Sequence, residues 1–184
     1  MHSHLHAPFS IRLGDQVPED MKTIKCTGVR AILVKDNKLL MMKSNRGDYK
    51  FPGGGMEEGE DEVTALAREI REETGYTDFV IAGLAGTVIQ AHPDIYLTDA
   101  WYYQTSPYYL VILKSDATQP LALTEDEIDH GFHAVWTTPK EAIQANEAVP
   151  INPFLNFYIE RENLVLQVVQ DRWMPKEETL HAND

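Results

Sequence analysis

Residues 54–76 read GGMEEGEDEVTALAREIREETGY, and Arg68, Glu69, Glu72 and Glu73 crowd the last two turns of a helix ending at Gly75. At roughly 100° per residue, Val63, Leu66, Ala67, Ile70 and Thr74 share one stripe, with Glu62, Glu69, Glu72 and Glu73 on the adjoining one. The first stripe is expected to face a core. The second is a poor choice for a helix that only has to be stable. Like charges three and four residues apart cost about 0.2–0.5 kcal/mol per pair, and Glu72 and Glu73 sit at the negative end of the helix dipole. A divalent cation reverses that penalty, because a hard ion such as Mg²⁺ takes oxygen ligands and bridges carboxylates to a substrate phosphate.

The residues ahead of the helix fit the same chemistry. Phe51-Pro52-Gly53-Gly54-Gly55 gives a rigid extended entry followed by three positions free to adopt positive φ, so backbone at Gly53 and Gly54 can approach a ligand closely. A tight turn is the plainer reading of the glycines alone. Asp61 is placed to cap the helix, with Glu62 in its favourable first turn.

Gly54, Glu60, Arg68-Glu69-Ile70, Glu72-Glu73 and Gly75 follow the pattern G-x5-E-x7-R-E-U-x-E-E-x-G-U, where U is bulky and apolar. In this the chain resembles the Nudix hydrolases. Seven fixed identities at roughly 5–7% usage each make a chance match rarer than about one in a million. Tyr76 departs from the pattern, being aromatic where an aliphatic residue is usual. The resemblance implies an α/β fold, an α/β/α sandwich around a mixed sheet, over most of Lys25 to Asp171. It implies that Glu69, Glu72 and Glu73 are metal ligands, that Arg68 orients Glu69, and that Glu60 supports the loop and reaches metal through water. Glu69 is the first choice for general base. The ion expected is Mg²⁺, with Mn²⁺ as the alternative; it would neutralise a bound diphosphate and lower the pKa of a bound water.

Composition agrees with one catalytic domain. A chain of 184 residues with 43% hydrophobic content can bury one sizeable core, and no linker divides it. The expected division is a flexible arm over residues 1–20, carrying His2, His4 and His6, a single domain over 21–174, and a tail over 175–184. A net charge of -13 argues against polymeric nucleic acid or an anionic membrane as partner. With Cys26 as the only cysteine, no internal disulfide forms, which suits a reducing cytoplasm. No signal peptide or membrane span is legible, so the protein reads as soluble.

The remaining elements are expected as follows. Val29 to Val34 and Leu39 to Met42 form a hairpin around Asp36-Asn37. Further strands cover Phe79 to Gln90, Trp101 to Tyr103 with Tyr108 to Leu113, and Phe132 to Trp136. Thr138-Pro139-Lys140-Glu141 opens a capped helix through Ala148. Asn152-Pro153 starts another, with Leu155, Tyr158, Ile159, Leu166 and Val169 on one face.

Outside the glutamate helix, family members often supply a further acidic ligand or base from a later loop. Leu123 to Glu127 is the candidate stretch, Glu127 being preferred to Glu125, with a solvated acidic loop as the alternative. Lys43 and Arg46 are candidate phosphate contacts, or an exposed hairpin end. Arg30 lies in an apolar strand, so a substrate phosphate or a buried carboxylate should answer its charge. Trp101, Tyr102 and Tyr103 stack a base or sugar, or simply pack. His92, His130 and His133 read as ordinary polar or packing residues.

The leading expectation is metal-dependent hydrolysis of a phosphoanhydride in a small nucleotide, a nucleoside diphosphate linked to another moiety. The alternatives are a catalytically silent nucleotide-binding module and removal of diphosphate from RNA 5′ ends, the latter opposed by the acidic balance. Homodimerisation is common among the proteins it resembles.

Overall fold

The computed structural model describes residues 7–152 and 156–175. Among these residues the strands are β1 (Phe9–Gly14), β2 (Lys22–Thr27), β3 (Arg30–Lys35), β4 (Lys38–Lys43), β5 (Tyr49–Lys50), β6 (Phe79–Pro93), β7 (Ala100–Leu113) and β8 (His133–Thr137). The helices are α1 (Glu62–Thr74), α2 (Glu125–Asp129), α3 (Pro139–Ala148) and α4 (Ile159–Trp173).

Asp36 and Asn37 join β3 to β4 with φ of 50° and 59°. Paired positive φ values belong to the tight hairpin turn whose twist matches that of the strands, and Asp and Asn tolerate them. That turn fixes the register, and the register sends alternate side chains to opposite faces. Ala31, Leu33 and Leu40 pack with Ala65, Leu66 and Ile70 of α1. Ile32, Leu39 and Met41 pack on the other face with Ala142 of α3 and Val165, Leu166 and Val169 of α4. The result is an α/β/α sandwich, as expected.

The sheet is mixed. β6 and β7 form a long antiparallel pair, with β1 parallel to β6. The other edge of β7 runs parallel to β2 along Ala100 to Thr105 and to β3 along Tyr108 to Val111. β4 pairs antiparallel with β3, β5 and β8. β7 is continuous through Pro107, which the sequence reading had left between two segments.

Several expectations change. Phe9–Gly14, expected within a flexible arm, forms β1. The Phe9 ring lies where a Cβ on Gly86 would stand, 2.2 Å away, so a missing side chain on β6 admits the strand. Leu123 to Glu127 contains the start of α2 rather than being loop throughout. Val63, expected in the core, is 49% exposed, and the buried stripe of α1 is rotated to include Glu69 and Glu73. The last helix begins at Ile159, not Asn152. The stretches carrying His2, His4 and His6, Leu155, and the tail beyond Pro175 lie outside the described residues.

A buried polar network carries α3 and α4 to the glycine loop. Asn146 accepts from Tyr49 N at 2.6 Å and donates to Tyr49 O at 3.2 Å, and Glu162 accepts from Phe51 N at 2.8 Å. Arg161 neutralises Glu162 at 2.9 Å and reaches Gln104 Oε1 at 2.8 Å. Among the described residues no helix is long and apolar enough to cross a membrane.

Candidate active site

The glycine loop is stitched to β3, which fixes its distance from α1. Pro52 O accepts from Ala31 N at 2.8 Å and Gly54 O from Val29 N at 2.9 Å. Gly53 has φ of 131°, and a Cβ there would lie 2.1 Å from Val29 O. At Gly54 the constraint is different: a Cβ would lie 2.4 Å from Glu69 Oε1. The loop therefore needs glycine at both positions, once for backbone and once for a carboxylate. α1 opens on Asp61, which accepts from Thr64 N at 2.7 Å, and closes on Gly75 at φ 76°.

Arg68 is the hub of the acidic cluster. Its Nε and Nη2 donate to the two oxygens of Glu60 at 2.9 and 3.0 Å. Its Nη1 donates to Glu69 Oε1 at 2.8 Å and to Glu72 Oε2 at 3.0 Å, while Nη2 also reaches Gly55 O at 3.0 Å. One planar guanidinium thus ties the loop to both carboxylates in a geometry no ammonium reproduces. Glu62, grouped with the acidic stripe in sequence, is diverted: the Tyr109 hydroxyl donates to it.

Glu73 is held separately, from inside. It is 1% exposed and accepts from Gly53 N at 2.6 Å. Lys50 Nζ lies 3.1 Å from Glu73 Oε1 and 3.6 Å from Glu127 Oε1, seated over the Phe132 ring at 4.4 Å. Glu127 is fixed by its role in the α2 capping box, where Oε2 accepts from Thr124 N at 2.9 Å. The structure therefore brings Glu127, and not Glu125, beside Glu73.

Burial and charge pull these groups apart. Burial pushes Glu73 up to about 7, Lys50 and the Gly53 N–H opposing it and Glu127 adding to it. Burial likewise raises Glu69, with Arg68 offsetting part of the rise. Burial would also raise Glu127, but the Thr124 N–H and Lys50 hold it below the usual carboxylate range. The Arg68 fork, with the Glu57 N–H, lowers Glu60 to about 2.

The donor set is a test of whether a metal suits the site. Glu60, Glu69, Glu72 and Glu73 offer hard oxygens alone, the chemistry of Mg²⁺ and Mn²⁺. Arg68 engages one oxygen each of Glu69 and Glu72, leaving the other without a hydrogen bond among the described residues. The bare Gly54 face lets the Glu69 carboxylate stand directly against the loop backbone. Among the described residues no three His, Cys, Asp or Glu side chains are already drawn together as a metal cage, since Arg68 and Lys50 hold these carboxylates. The residues fit a hard divalent ion in chemistry, with the two cations keeping the acidic side chains in place.

The other cations divide. Arg30 opens β3, is 9% exposed, and donates to Val29 O at 3.2 Å, while its buried Nε has no hydrogen-bond partner among the described residues. Its charge helps ionise Glu69. Lys43 and Arg46 are not brought to the glutamates. Lys43 pairs across from Tyr49, its ammonium 5.3 Å from that ring, on the sheet face opposite Lys50. Arg46 lies 3.4 Å from Asp48. The sequence reading missed Lys50, although a lysine directly ahead of the Phe-Pro-Gly-Gly entry was the available signal. Two surface clefts among the described residues lie away from the carboxylates, one edged by Thr138, Ile143, Gln167 and Met174, the other by Arg46, Val149 and Asn156.

Comparison with known proteins bears on this geometry. The NUDIX domain profile matches residues 25–156, more than half the chain. Nudix hydrolase 25 of Arabidopsis thaliana is 27% identical over 129 residues, covering 63% of this chain and 74% of that protein. An ADP-ribose pyrophosphatase of Methanocaldococcus jannaschii is 45% identical over 51 residues, covering 26% of this chain but only 30% of the relative. Among solved structures, a UDP-X diphosphatase superposes with a TM-score of 0.50 at 19% identity, covering 84% of this chain and 67% of that one, a likeness of fold.

Proposed function

The chain belongs to the NUDIX domain family, and on that premise we propose that it cleaves the phosphoanhydride bond of a nucleoside diphosphate linked to another moiety. Membership makes it a hydrolase of acid anhydrides in phosphorus-containing compounds; the nucleotide, the bond and the ion are the proposal. The observation that carries it is Arg68 joining Glu60, Glu69 and Glu72 directly beneath a glycine loop that has no side chain to spare.

Glu69, Glu72 and Glu73 are the residues that would hold Mg²⁺ or Mn²⁺, with Glu60 behind them. When bound, the ion supplies charge neutralisation at the diphosphate and a water of lowered pKa. The chain's own groups do the rest. Arg68 keeps Glu69 and Glu72 turned toward the loop, and Glu60 keeps Arg68 in place. Glu69 stands against the Gly54 backbone and is the proposed general base, accepting the proton of the attacking water. Arg30 offers Nε–H to a phosphate oxygen. Lys50 and Glu127 set the position of Glu73, and Glu127 is a further candidate base. The ADP-ribose pyrophosphatase relative supports a nucleotide substrate. The lone Cys26 suits a reducing cytoplasm as the place of action.

A nucleotide panel with Mg²⁺ or Mn²⁺, products identified by mass spectrometry, tests the reading. Release of a nucleoside monophosphate by the wild type, lost in Glu69→Gln, Glu72→Gln and Glu73→Gln, is the expected result. Activity equal to wild type in all three variants overturns the catalytic assignment. Tight nucleotide binding with no turnover in either metal makes the chain a binding module instead.

A further inference from the structure

Cross-strand neighbours on β6, β7 and β2 place Gln90 beside Gln104 and Cys26, and His92 beside Tyr102. Arg30 heads the same face of the sheet, opposite Tyr108. Three atoms along it are buried without a hydrogen-bond partner among the described residues: Arg30 Nε, Gln90 Oε1 and His92 Nε2. Buried polar atoms are nearly always paired, because leaving one dry forfeits its hydration. Three along one face, on residues that the hydrolytic chemistry uses only in part, call for an occupant. Gln90 is 7% exposed and Arg30 9%, so neither atom is a surface group waiting for bulk water.

The face adjoins the reaction centre. A Cβ on Gly28 would meet Gly54 O at 3.5 Å on one side, with Gln104 Nε2 at 2.9 Å and Arg30 Nη2 at 3.6 Å. Gly54 in turn lies against Glu69. A phosphate at Arg30 would therefore project the group it carries along Gln90 toward His92. Two residues of strand span about 7 Å, the breadth of a sugar ring with its hydroxyls.

The atoms specify the chemistry. His92 Nδ1 lies 2.8 Å from Pro93 O, a carbonyl that can only accept, so Nδ1 carries the proton and Nε2 is an acceptor. Gln90 Oε1 is also an acceptor, and turning the amide would replace it with a donor. Arg161, the other cation nearby, is neutralised by Glu162. A second phosphate would meet acceptors here, whereas a hydroxyl both donates and accepts and serves either amide orientation. At the far end the His92 ring stacks on Tyr102 at 5.2 Å, with Phe157 edge-on to both at 6.3 and 6.2 Å, a half-buried apolar wall for the C–H face of a sugar.

We infer that this face binds the ribosyl hydroxyls of the substrate, with Gln90 and His92 accepting from the hydroxyls and Arg30 donating to the phosphate that carries them. The inference rests on the proposed phosphoanhydride chemistry for its location, and its test does not depend on turnover. Ribose 5-phosphate and AMP are titrated into the full chain in Mg²⁺ by calorimetry, with inorganic phosphate as reference. Both ribosyl compounds are expected to bind about tenfold tighter than phosphate, the worth of one or two net hydrogen bonds. Gln90→Leu and His92→Phe should each remove most of that advantage and leave phosphate binding unchanged. Free Gln90→Leu should melt at or above the wild-type temperature, because an unpaired buried carbonyl is replaced by an apolar group. AMP exceeding ribose 5-phosphate, with the same loss in the variants, assigns a nucleoside as the source; equal binding assigns a sugar phosphate. No ribosyl advantage in the wild type, an advantage confined to AMP, or an advantage intact in both variants overturns the inference.

Discussion

Lys50 holds its ammonium 3.1 Å from a Glu73 carboxylate that is itself 1% exposed, so the innermost acid of the site carries its counter-ion from the strand just before the glycine loop. Removing one partner of a buried pair leaves the other charge uncompensated. Lys50→Met should destabilise the protein by about 3 kcal/mol in urea unfolding at about pH 9, where Glu73 must ionise, and by less at neutral pH, where burial without Lys50 leaves Glu73 protonated. The double variant Lys50→Met with Glu73→Gln should recover most of that loss, and a double variant as unstable as the single one would show that Lys50 acts through packing on Phe132 instead.

Arg68 grips Glu60 through two parallel hydrogen bonds and reaches Glu69 and Glu72 with its remaining nitrogen. A lysine keeps the charge and loses the fork. With Glu69 and Glu72 as the proposed metal ligands, Arg68→Lys should lower kcat by about 10- to 100-fold, the usual cost of losing an outer partner of such a ligand. Mn²⁺ affinity, read by paramagnetic resonance of the free ion, should weaken in parallel; an unchanged affinity would remove Arg68 from the positioning of these carboxylates.

What the sequence disclosed follows from how local its signals are. The cap at Asp61, the stop at Gly75, the Asp36-Asn37 turn and the Thr138 capping box are each written within four residues, and all four form as expected. β1 depends on Phe9 finding Gly86, and β5 is two residues long, so neither carries a local pattern. The α1 stripe was misread by part of a turn. Periodicity counts glutamate as polar, yet Glu69 and Glu73 are buried because Arg68, Lys50 and the Gly53 N–H answer them from elsewhere in the chain. Lys50 was passed over for Lys43 for the same reason: which face a short strand turns toward α1 is settled by pairing with β4, not by composition.

The α3 capping box gives a pH dependence away from the acidic cluster. Glu141 is held below its usual pKa by the Thr138 N–H first, then by the Thr138 and Thr137 hydroxyls. A carboxylate lowered on folding contributes stability that is complete above its unfolded pKa, about 4.5, and lost as pH falls through the lower native value. Protection factors of the Glu141 and Ala142 amides, taken against the intrinsic exchange rate at each pH, should therefore fall below about pH 4.5 in the wild type. Glu141→Gln should show lower protection at neutral pH and little further change in protection on acidification.

Two adjacent glycines should fail for different reasons when given a methyl group. At Gly53 the new Cβ meets Val29 O at 2.1 Å, and φ of 131° is itself strained for an L side chain, so the backbone must move. Gly53→Ala should lose well over 1 kcal/mol of stability, since an alanine forced to positive φ costs more than it returns. At Gly54 no positive φ is required, and the obstacle is the Glu69 carboxylate at 2.4 Å, the end of a side chain that can swing. Gly54→Ala should therefore melt close to wild type while turnover falls about 100-fold, the penalty of misplacing the proposed base by an ångström. Equal thermal losses in the two variants would mean that Glu69 cannot yield, and that its carboxylate is fixed against Gly54 as packing.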